Sequence, residues 1–274
     1  MASRRPVVSP LLYVYGFAEC AHTQGRVAGA GPGVEEGVPV EWRGHGDIAA
    51  IVSPVPVRQY DETPLAAHVL DPAWLIPRAE RHVQVLVRQM GEHGVVPCRF
   101  GTVYRDREGI AGFIDLHREP LRAALLRVRG TAEWAVKAYV RVPLVEEASS
   151  GRPGAQPGTA YFQGLLRHRA EQREAEAYAP GSVEGIRAAL LKCASRVADL
   201  PLRDHGPAPR THLHLNLACL VPLPNTSRFL ASLARLAMKE KRRGVELVSS
   251  GPWPPYSFVA DLFPASRADV EVIP

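Results

Sequence analysis

The alternation of apolar and polar positions predicts several β-strands in the first half of the chain. The clearest covers TAEWAVKAYVRV, Thr131 to Val142, where every second residue from Ala132 onward is apolar. These residues share one face, and Glu133, Lys137 and Arg141 lie on the other. Earlier strands are predicted at Leu11–Phe17, Val38–Trp42 and Asp47–Ser53, the last two joined by RGHG as in a hairpin. VVPCRFGTVY predicts one more strand, with Pro97 inside it and Gly101 ending it.

Two helices are predicted between these strands. The first covers Pro77 to Glu92, with an apolar stripe at helical spacing formed by Leu75, Ala79, Val83, Leu86 and Met90. Asp71 and Pro72 could also cap an earlier turn, which leaves the start open. The second helix is predicted from Asp106 to Arg127. The resulting order, β-β-β-α-β-α-β, is a variation on the ferredoxin-like, split β-α-β pattern, and we expect one face of its sheet to be free of helices.

The second half of the chain follows a Gly-, Pro- and Ser-rich segment, Glu146 to Thr159, which is the predicted linker between two domains, 1–145 and 160–274. A charged helix is predicted at Tyr161–Tyr178. A second helix is predicted from an apolar seam at alternating steps of four and three, formed by Ile186, Leu190, Cys193, Val197 and Leu200. The remaining predicted elements are a strand at His212–Val221, a helix at Thr226–Arg242, and strands at VELVSS and YSFV. The second domain is therefore predicted to be α+β with long helices.

Composition and charge narrow the classes of protein. The chain has 274 residues, of which 46% are hydrophobic and 22% charged, as is typical of globular proteins. No apolar run approaches the roughly 20 residues that span a bilayer. The formal charge of +5 comes from 33 basic and 28 acidic residues. This excess permits nucleic acid or an acidic partner but favours neither.

The cysteines and the N-terminus both favour a cytoplasmic protein. Cys20, Cys98, Cys193 and Cys219 lie far apart without C-x-x-C spacing, which is typical of small buried hydrophobic residues in a reducing compartment. The N-terminal apolar run is interrupted by prolines and contains two tyrosines. LLYVYGF therefore indicates a first strand more than an export signal.

Candidate chemistry is sparse. His212 and His214 share one face of a strand as two metal ligands could, but alternating polar positions on a half-exposed strand explain them more simply. Glu133 and Lys137 predict a surface ion pair, or an arrangement around Arg99, with a catalytic Glu–Lys couple as the alternative. No nucleophile elbow or phosphate-binding glycine pattern accompanies them. We therefore expect no catalysis, no cofactor and no metal.

A nucleic-acid-binding module is the main alternative. Split β-α-β domains include RNA-recognition modules that stack bases on sheet aromatics, and CRFGTVY distantly resembles their basic-Gly-aromatic strand. The K/R-G-F/Y-G/A-F-V run is missing, however, and Pro97 favours an edge strand.

Several motifs together resemble one family. LLYVYGF, the A-x-x-H of Ala79 and His82, VVPCRFGTVY, AEWAVKAYV, NLACLVP and GPWPPYSFV occur in that order along nearly the whole chain. The sequence is similar to the gas vesicle protein L/F (GvpL/GvpF) family. Cys98 and Cys219 stand where the family often has other apolar residues, and the Gly-rich insertion after Cys20 is long.

The resemblance implies a function and a fold. Members are accessory factors in assembling gas vesicles, the hollow gas-filled protein shells of certain prokaryotic cells. The implied partners are the small hydrophobic shell subunit (GvpA-type) and other accessory proteins, with no nucleic acid and no membrane. The implied location is the cytoplasm and the vesicle, where the protein could be a minor shell component. The implied fold is two α+β domains, the first a modified ferredoxin-like one.

The resemblance also singles out two groups of residues. Arg99, Phe100, Gly101 and Thr102 are predicted to be structural, because Gly101 permits a turn and Arg99 can pair with Glu133. Trp134 and Lys137 belong to the strand motif. Near the C-terminus, the fixed backbone of Pro254 and Pro255 would present Trp253, Tyr256 and Phe258 rigidly, either to the second domain's core or to a partner. Proline-blunted strand edges accept new strands poorly, so we expect the shell subunit to dock through helices, mainly on the first domain.

Overall fold

The computed structural model describes residues 9–20, 32–91, 94–141, 181, 183–202, 211–242 and 244–263. The predicted linker Glu146–Thr159 and the predicted helix Tyr161–Tyr178 lie outside the described residues. Contacts divide the chain into two compact units, one formed by Met1–Glu133 with Pro252–Pro274 and the other by Trp134–Gly251. The C-terminal segment is thus grouped with the first unit, whereas the sequence predicts it in the second domain. Both units combine helices and sheet, as expected for the α+β class.

The first unit is built on an antiparallel sheet of five strands. These are β1 (Leu11–Glu19), β2 (Glu41–His45), β3 (Ile48–Val55), β4 (Val95–Pro97) and β5 (Val103–Tyr104). Their order is β2-β3-β1-β4, and β5 also pairs with β1. The predicted β2–β3 hairpin is confirmed, but its turn is shorter than RGHG. Gly44 and His45 still pair with β3, and Gly46 makes the turn at a φ of 66°.

Five helices accompany this sheet in the described part of the first unit: α1 (Val57–Tyr60), α2 (Glu62–His68), α3 (Pro72–Gln89), α4 (Arg107–Leu116) and α5 (Arg118–Val128). Helix α3 begins five residues before the predicted Pro77. The Asp71 carboxylate caps it by accepting the Ala73 N–H at 3.0 Å, and Pro72 takes the first helical position, where its missing N–H costs nothing. The earlier cap is therefore the true start, and Pro77 lies within the helix.

The single helix predicted from Asp106 to Arg127 is two helices that meet at His117. The physical reason is Pro120. In a continuous helix the Pro120 ring would clash with the carbonyl of Leu116, and Pro120 has no N–H to donate to that carbonyl. In the first turn of α5 neither restriction applies, so the proline is tolerated there. Asp106 begins α4, because its carboxylate accepts the Gly109 N–H at 2.9 Å.

Helices cover both faces of the first sheet, so the predicted helix-free face is wrong. The Tyr15 ring stacks on His82 of α3 at 5.7 Å between centroids, and the Phe17 ring stacks on Phe113 of α4 at 5.3 Å. A bulge between Val14 and Gly16 shifts the strand alternation, so that these side chains take opposite faces. The near-continuous apolar run of β1 is the sequence signal of such two-sided burial.

The second unit has a four-stranded sheet in the order β7-β8-β6-β9, with β6 (Thr131–Arg141), β7 (Arg196–Asp199), β8 (Thr211–Pro222) and β9 (Val245–Trp253). Helical residues 183–190 and helix α6 (Thr226–Lys241) pack on it. The predicted apolar face of β6 is confirmed. Trp134, Val136, Ala138 and Val140 are all buried, in one cluster with Phe229 of α6.

Two predictions for this half are wrong. The seam does not continue past Leu190 as a helix, because Val197 lies in β7 opposite Cys219 of β8. YSFV is not a strand, since Tyr256–Phe258 forms a short 3-10 helix. Instead β9 runs on to Trp253 and stops where Pro254 and Pro255 offer no N–H for a ladder.

Candidate functional site

The candidate site is a buried chain of hydrogen bonds in the first unit that joins β1, α3 and the C-terminal segment. The Tyr13 hydroxyl lies 2.9 Å from Nδ1 of His82, and the Tyr256 hydroxyl lies 2.9 Å from Nε2 of the same ring. A neutral imidazole has one donor and one acceptor nitrogen. One hydroxyl therefore donates to His82 and the other accepts from it, and both ring nitrogens are satisfied.

The turn Arg99–Thr102 closes one end of this chain. The Gly101 N–H donates to the Tyr13 hydroxyl at 3.1 Å, and the Thr102 hydroxyl donates to the Arg99 carbonyl at 2.8 Å. Gly101 has a φ of 83°, which a side chain would strain, and a Cβ there would also lie 3.2 Å from Leu65. The Phe100 ring packs edge-on against Tyr13 and His82. Gly101 thus lies in a turn, and the structural role of the motif stays a prediction.

The segment Trp253–Phe258, here called the proline elbow, forms the other end of this chain of hydrogen bonds. Pro254 and Pro255 are buried, and the Tyr256 ring packs against the core of the first unit. Ser257 then donates twice to the Glu133 carboxylate, from its backbone N–H at 2.9 Å and from its hydroxyl at 2.7 Å. Arg127 donates to the carbonyl of Phe258 at 2.7 Å. These bonds hold the proline elbow against the first unit. The sequence predicts contact with the second domain's core or with a partner instead.

Burial disfavours the charged form of each ionisable group in the site. Burial lowers the pKa of His82 to about 4, although the Cys98 carbonyl acts in the opposite direction. Burial likewise raises the pKa of Tyr13 and of Tyr256. Burial raises the pKa of Glu133, and the two bonds from Ser257 only partly oppose it. Buried groups that bond to one another in this way connect the elements that carry them.

A second cluster ties the residues before β2 to α3. Glu35 accepts the Tyr60 hydroxyl at 2.6 Å and Nε of Arg78 at 2.8 Å, and the Arg78 guanidinium lies 4.5 Å from the Trp74 ring centroid. Burial opposes ionisation of Glu35, but the bonds from Arg78 and Tyr60 outweigh it and lower the pKa of the carboxylate. The carboxylate therefore holds this segment in place as a charged, fully bonded group.

The other predicted residues lie apart from this site. Trp134 belongs to the core of the second unit, 5.9 Å from Phe229 between ring centroids, and Lys137 is half-buried on the opposite face of β6. Trp253 is half-buried at the end of β9. Glu133 is only 7% exposed, so the predicted surface position is wrong, because Ser257 covers the carboxylate. Its pairing with Arg99 stays a prediction.

The described residues contain neither a cluster of metal ligands nor a helix that could span a membrane. Among the described residues, no group of three or more His, Cys, Asp or Glu side chains is placed to hold a metal ion. His214 is half-buried in β8, and the His212 side chain lies outside the described residues. No described helix combines the length and apolar character that crossing a membrane requires.

The sequence motifs missed the residues that connect them. The sequence indicates Tyr13 only as part of a strand and does not single out Ser257. It indicates His82 only as part of the A-x-x-H motif. A usable signal exists, because a tyrosine in a fully apolar strand and a histidine on an apolar helix face each need a buried partner. That rule pairs Tyr13 with His82 but does not identify Tyr256.

Comparison with known proteins identifies the family. Residues 11–260 match the family model described as gas vesicle synthesis protein GvpL/GvpF. Gas vesicle protein L of a Streptomyces species is 29% identical over 223 residues, which cover 78% of this chain and 80% of that protein. Gas vesicle protein F of the same organism is 26% identical over 257 residues, 90% of this chain and 98% of that protein.

Solved structures show the same fold. The crystal structure of GvpF from Anabaena has a TM-score of 0.66 at 17% identity, covering 92% of this chain and 96% of that one. GvpF from Microcystis aeruginosa has a TM-score of 0.63 at 16% identity, covering 92% and 99%. Because the family model spans most of the 274 residues, the resemblance seen in the motifs is confirmed. This chain belongs to the gas vesicle synthesis protein GvpL/GvpF family.

Proposed function

We propose that this protein is an accessory factor in gas vesicle assembly that binds the hydrophobic shell subunit and helps to nucleate or build the vesicle. Membership of the GvpL/GvpF family implies a role in gas vesicle formation, and the match over residues 11–260 is the observation that carries the proposal. The protein would act in the cytoplasm and at the vesicle, together with other accessory proteins, and could stay there as a minor shell component.

A role without catalysis is part of the proposal. Burial shifts the pKa values of Tyr13, His82 and Glu133, and each of these groups bonds to a group from another element. Each is therefore satisfied by the fold, whereas a catalytic acid or base must reach a substrate within about 3 Å. This arrangement supports a binding protein with a rigid interior.

The proposal includes a modified ferredoxin-like fold for the first unit. The order β4-β1-β3-β2 with antiparallel neighbours supports it, as does a helix, α3, in the connection from β3 to β4. The modification would lie between β1 and β2, where the described residues 32–40 form turns and a short bridge and no helix. A boundary at 146–159 stays part of the proposal for the chain's organisation.

The surface proposed to bind the shell subunit is the corner between α2 and α3. Leu70 is 80% exposed and Ile76 is 55% exposed, and three alanines beside them, Ala66, Ala67 and Ala73, are also exposed. Large apolar side chains that are exposed six residues apart in the sequence, among exposed alanines, favour an interaction site. A helix of an apolar partner could dock on this corner and bury both side chains.

Gene deletion tests the function as a whole. In a vesicle-forming cell that carries this gene, deletion should abolish vesicles or leave them malformed, and the wild-type gene should restore them. Electron microscopy of the cells gives the result. Normal vesicles in the deletion strain would contradict the proposal.

A binding experiment tests the surface. The full-length chain should be used, because Tyr256 and Ser257 complete the first unit. The variant Leu70→Glu with Ile76→Glu should lose affinity for the shell subunit at least about tenfold, because a charge at each position opposes apolar burial. The matched control is Leu116→Glu with Leu126→Glu, whose side chains are 79% and 68% exposed elsewhere on the same unit. Loss of binding in the control alone would move the site to α4 and α5.

A further inference from the structure

Helix α6 presents an exposed seam with a regular ladder of arginines beside it. Ser227, Ala231, Ala234 and Met238 follow one another at steps of four, three and four residues, and all are exposed. This is the spacing of the contact positions of a coiled coil. Leu230, 39% exposed, flanks the seam, and Met238 is 65% exposed.

The ladder consists of Arg228, Arg235 and Arg242, which are spaced seven residues apart and are exposed. Arg228 directly follows Ser227, and Arg235 directly follows Ala234. Arg242 lies one heptad after Arg235. All three arginines therefore lie on the same side of the seam. These are the flanking positions through which coiled-coil partners select each other by charge. The 16-residue helix is about 24 Å long, which is enough for two heptads of contact.

The charge of this face is uniform. Lys239 and Lys241 are also exposed, and the only carboxylate on the helix, Glu240, is 2% exposed. The inward side is occupied, because Phe229 and Leu233 are buried in the core of the second unit. Packing within that unit thus accounts for one side of α6, and the outward side combines small or apolar residues with five cations.

We infer that the outward face of α6 is a docking site for an acidic amphipathic α-helix of a partner protein. That helix would place apolar side chains over Ala231, Ala234 and Met238, and carboxylates at seven-residue spacing opposite the arginine ladder. The small alanines let a partner helix approach closely. This goes beyond binding of the shell subunit, which is proposed for the first unit.

Two other occupants fit the face less well. A second copy of α6 would bring arginines against arginines in an antiparallel pair and against Leu230 or Ala237 in a parallel pair, without a carboxylate in either case. Nucleic acid would pair its phosphates with the cations but would gain nothing from Met238 and Leu230. An acidic amphipathic helix uses both features.

The test uses the full-length protein and a synthetic dye-labelled helix. The peptide has three heptads with leucine at the seam positions and glutamate at the flanking positions, where mutual repulsion keeps it from pairing with itself. Fluorescence anisotropy should show saturable binding that weakens with added salt. Replacing Arg228, Arg235 and Arg242 by Glu should weaken binding at least about tenfold and should create binding to the same peptide with lysine in place of glutamate.

Controls make each outcome decisive. The variant Arg58→Glu with Arg105→Glu and Arg107→Glu changes the net charge equally on exposed residues of the first unit and should bind like the wild type. Gained binding to the lysine peptide also shows that the reversed variant is folded. The inference is overturned if the glutamate peptide does not bind, or if a scrambled peptide of equal composition or a short DNA duplex binds equally well. It is also overturned if the three arginine-to-glutamate replacements abolish self-association of the protein instead of peptide binding.

Discussion

His82 is the residue on which the candidate site depends most directly, because both of its ring nitrogens bond to tyrosine hydroxyls in the interior. Replacing Tyr256 by Phe keeps the ring and removes only the hydroxyl. The Nε2 atom of His82 then loses this buried partner. We expect the free energy of unfolding to fall by about 1–2 kcal/mol, measured by urea denaturation.

Tyr104→Phe is the matched control for that experiment. Tyr104 is half-buried in the same unit, and its hydroxyl takes no part in the His82 chain. Its loss should change the free energy of unfolding by less than about 0.5 kcal/mol. An equal effect of the two variants would contradict a special role for the Tyr256 hydroxyl.

The pH dependence of stability should report the burial of His82. Its pKa is about 4 in the folded protein, against an unfolded value of about 6.5. Between those values the unfolded state binds the extra proton, so the free energy of unfolding falls as the pH falls through this range. The slope from this group is at most about 1.4 kcal/mol per pH unit.

His82→Gln isolates this contribution from those of other groups. Glu133 acts in the opposite direction, because its raised pKa lets the folded state bind a proton more readily than the unfolded state. The difference in unfolding free energy between wild type and variant should therefore shrink as the pH is lowered from about 6.5 to about 4. A constant difference across that range would show that His82 is not buried as a neutral ring.

At the scale of elements, the sequence predicts regular segments well and their ends less well. The strict alternation of β6 and the helical period of α6 are local, so both were predicted to within one residue at each end. The start of α3 and the break before α5 depend on Pro72 and Pro120, which lie in first helical turns, whereas Pro77 is accommodated inside α3. YSFV alternates like a strand, yet the two prolines before it end the ladder.

The candidate site shows a different limit. Both of its motifs, Arg99–Thr102 and the proline elbow, are visible in the sequence, but their meeting place is not. His82 and Tyr256 are 174 residues apart, and no local period encodes such a pairing. Burial requires that polar atoms find partners, but it does not say which partners they find.

The C-terminal element should be essential to the first unit. Shortening the chain to end at Gly251 removes the bonds from Tyr256, Ser257 and Phe258, and leaves Glu133 and His82 without them. We expect this variant to melt well below the full-length protein or to aggregate. Ending the chain at Phe263 keeps every one of these bonds and is the control. Equal melting temperatures for the two shortened chains, followed by circular dichroism, would show that the segment is dispensable.

At the scale of the whole molecule, charge and burial together decide between a protein partner and RNA. A sheet that binds RNA stacks bases on exposed aromatic rings, but Tyr13, Tyr15 and Phe17 on the central strand of the first sheet are fully buried. Any RNA binding would therefore rest on the formal charge of +5 and the exposed cations alone. Phosphate contacts of that kind release counterions and weaken steeply as salt is added.

We therefore expect a dye-labelled single-stranded RNA of about 20 nucleotides to bind weakly at about 50 mM salt and to dissociate by about 200 mM. Fluorescence anisotropy at both salt concentrations measures this, and a second RNA of unrelated sequence should behave the same way. Binding that persists at the higher salt, or that prefers one sequence, would require base contacts that β1 cannot provide. That outcome would favour a nucleic-acid-binding module over an assembly factor, especially if the shell subunit failed to bind in parallel.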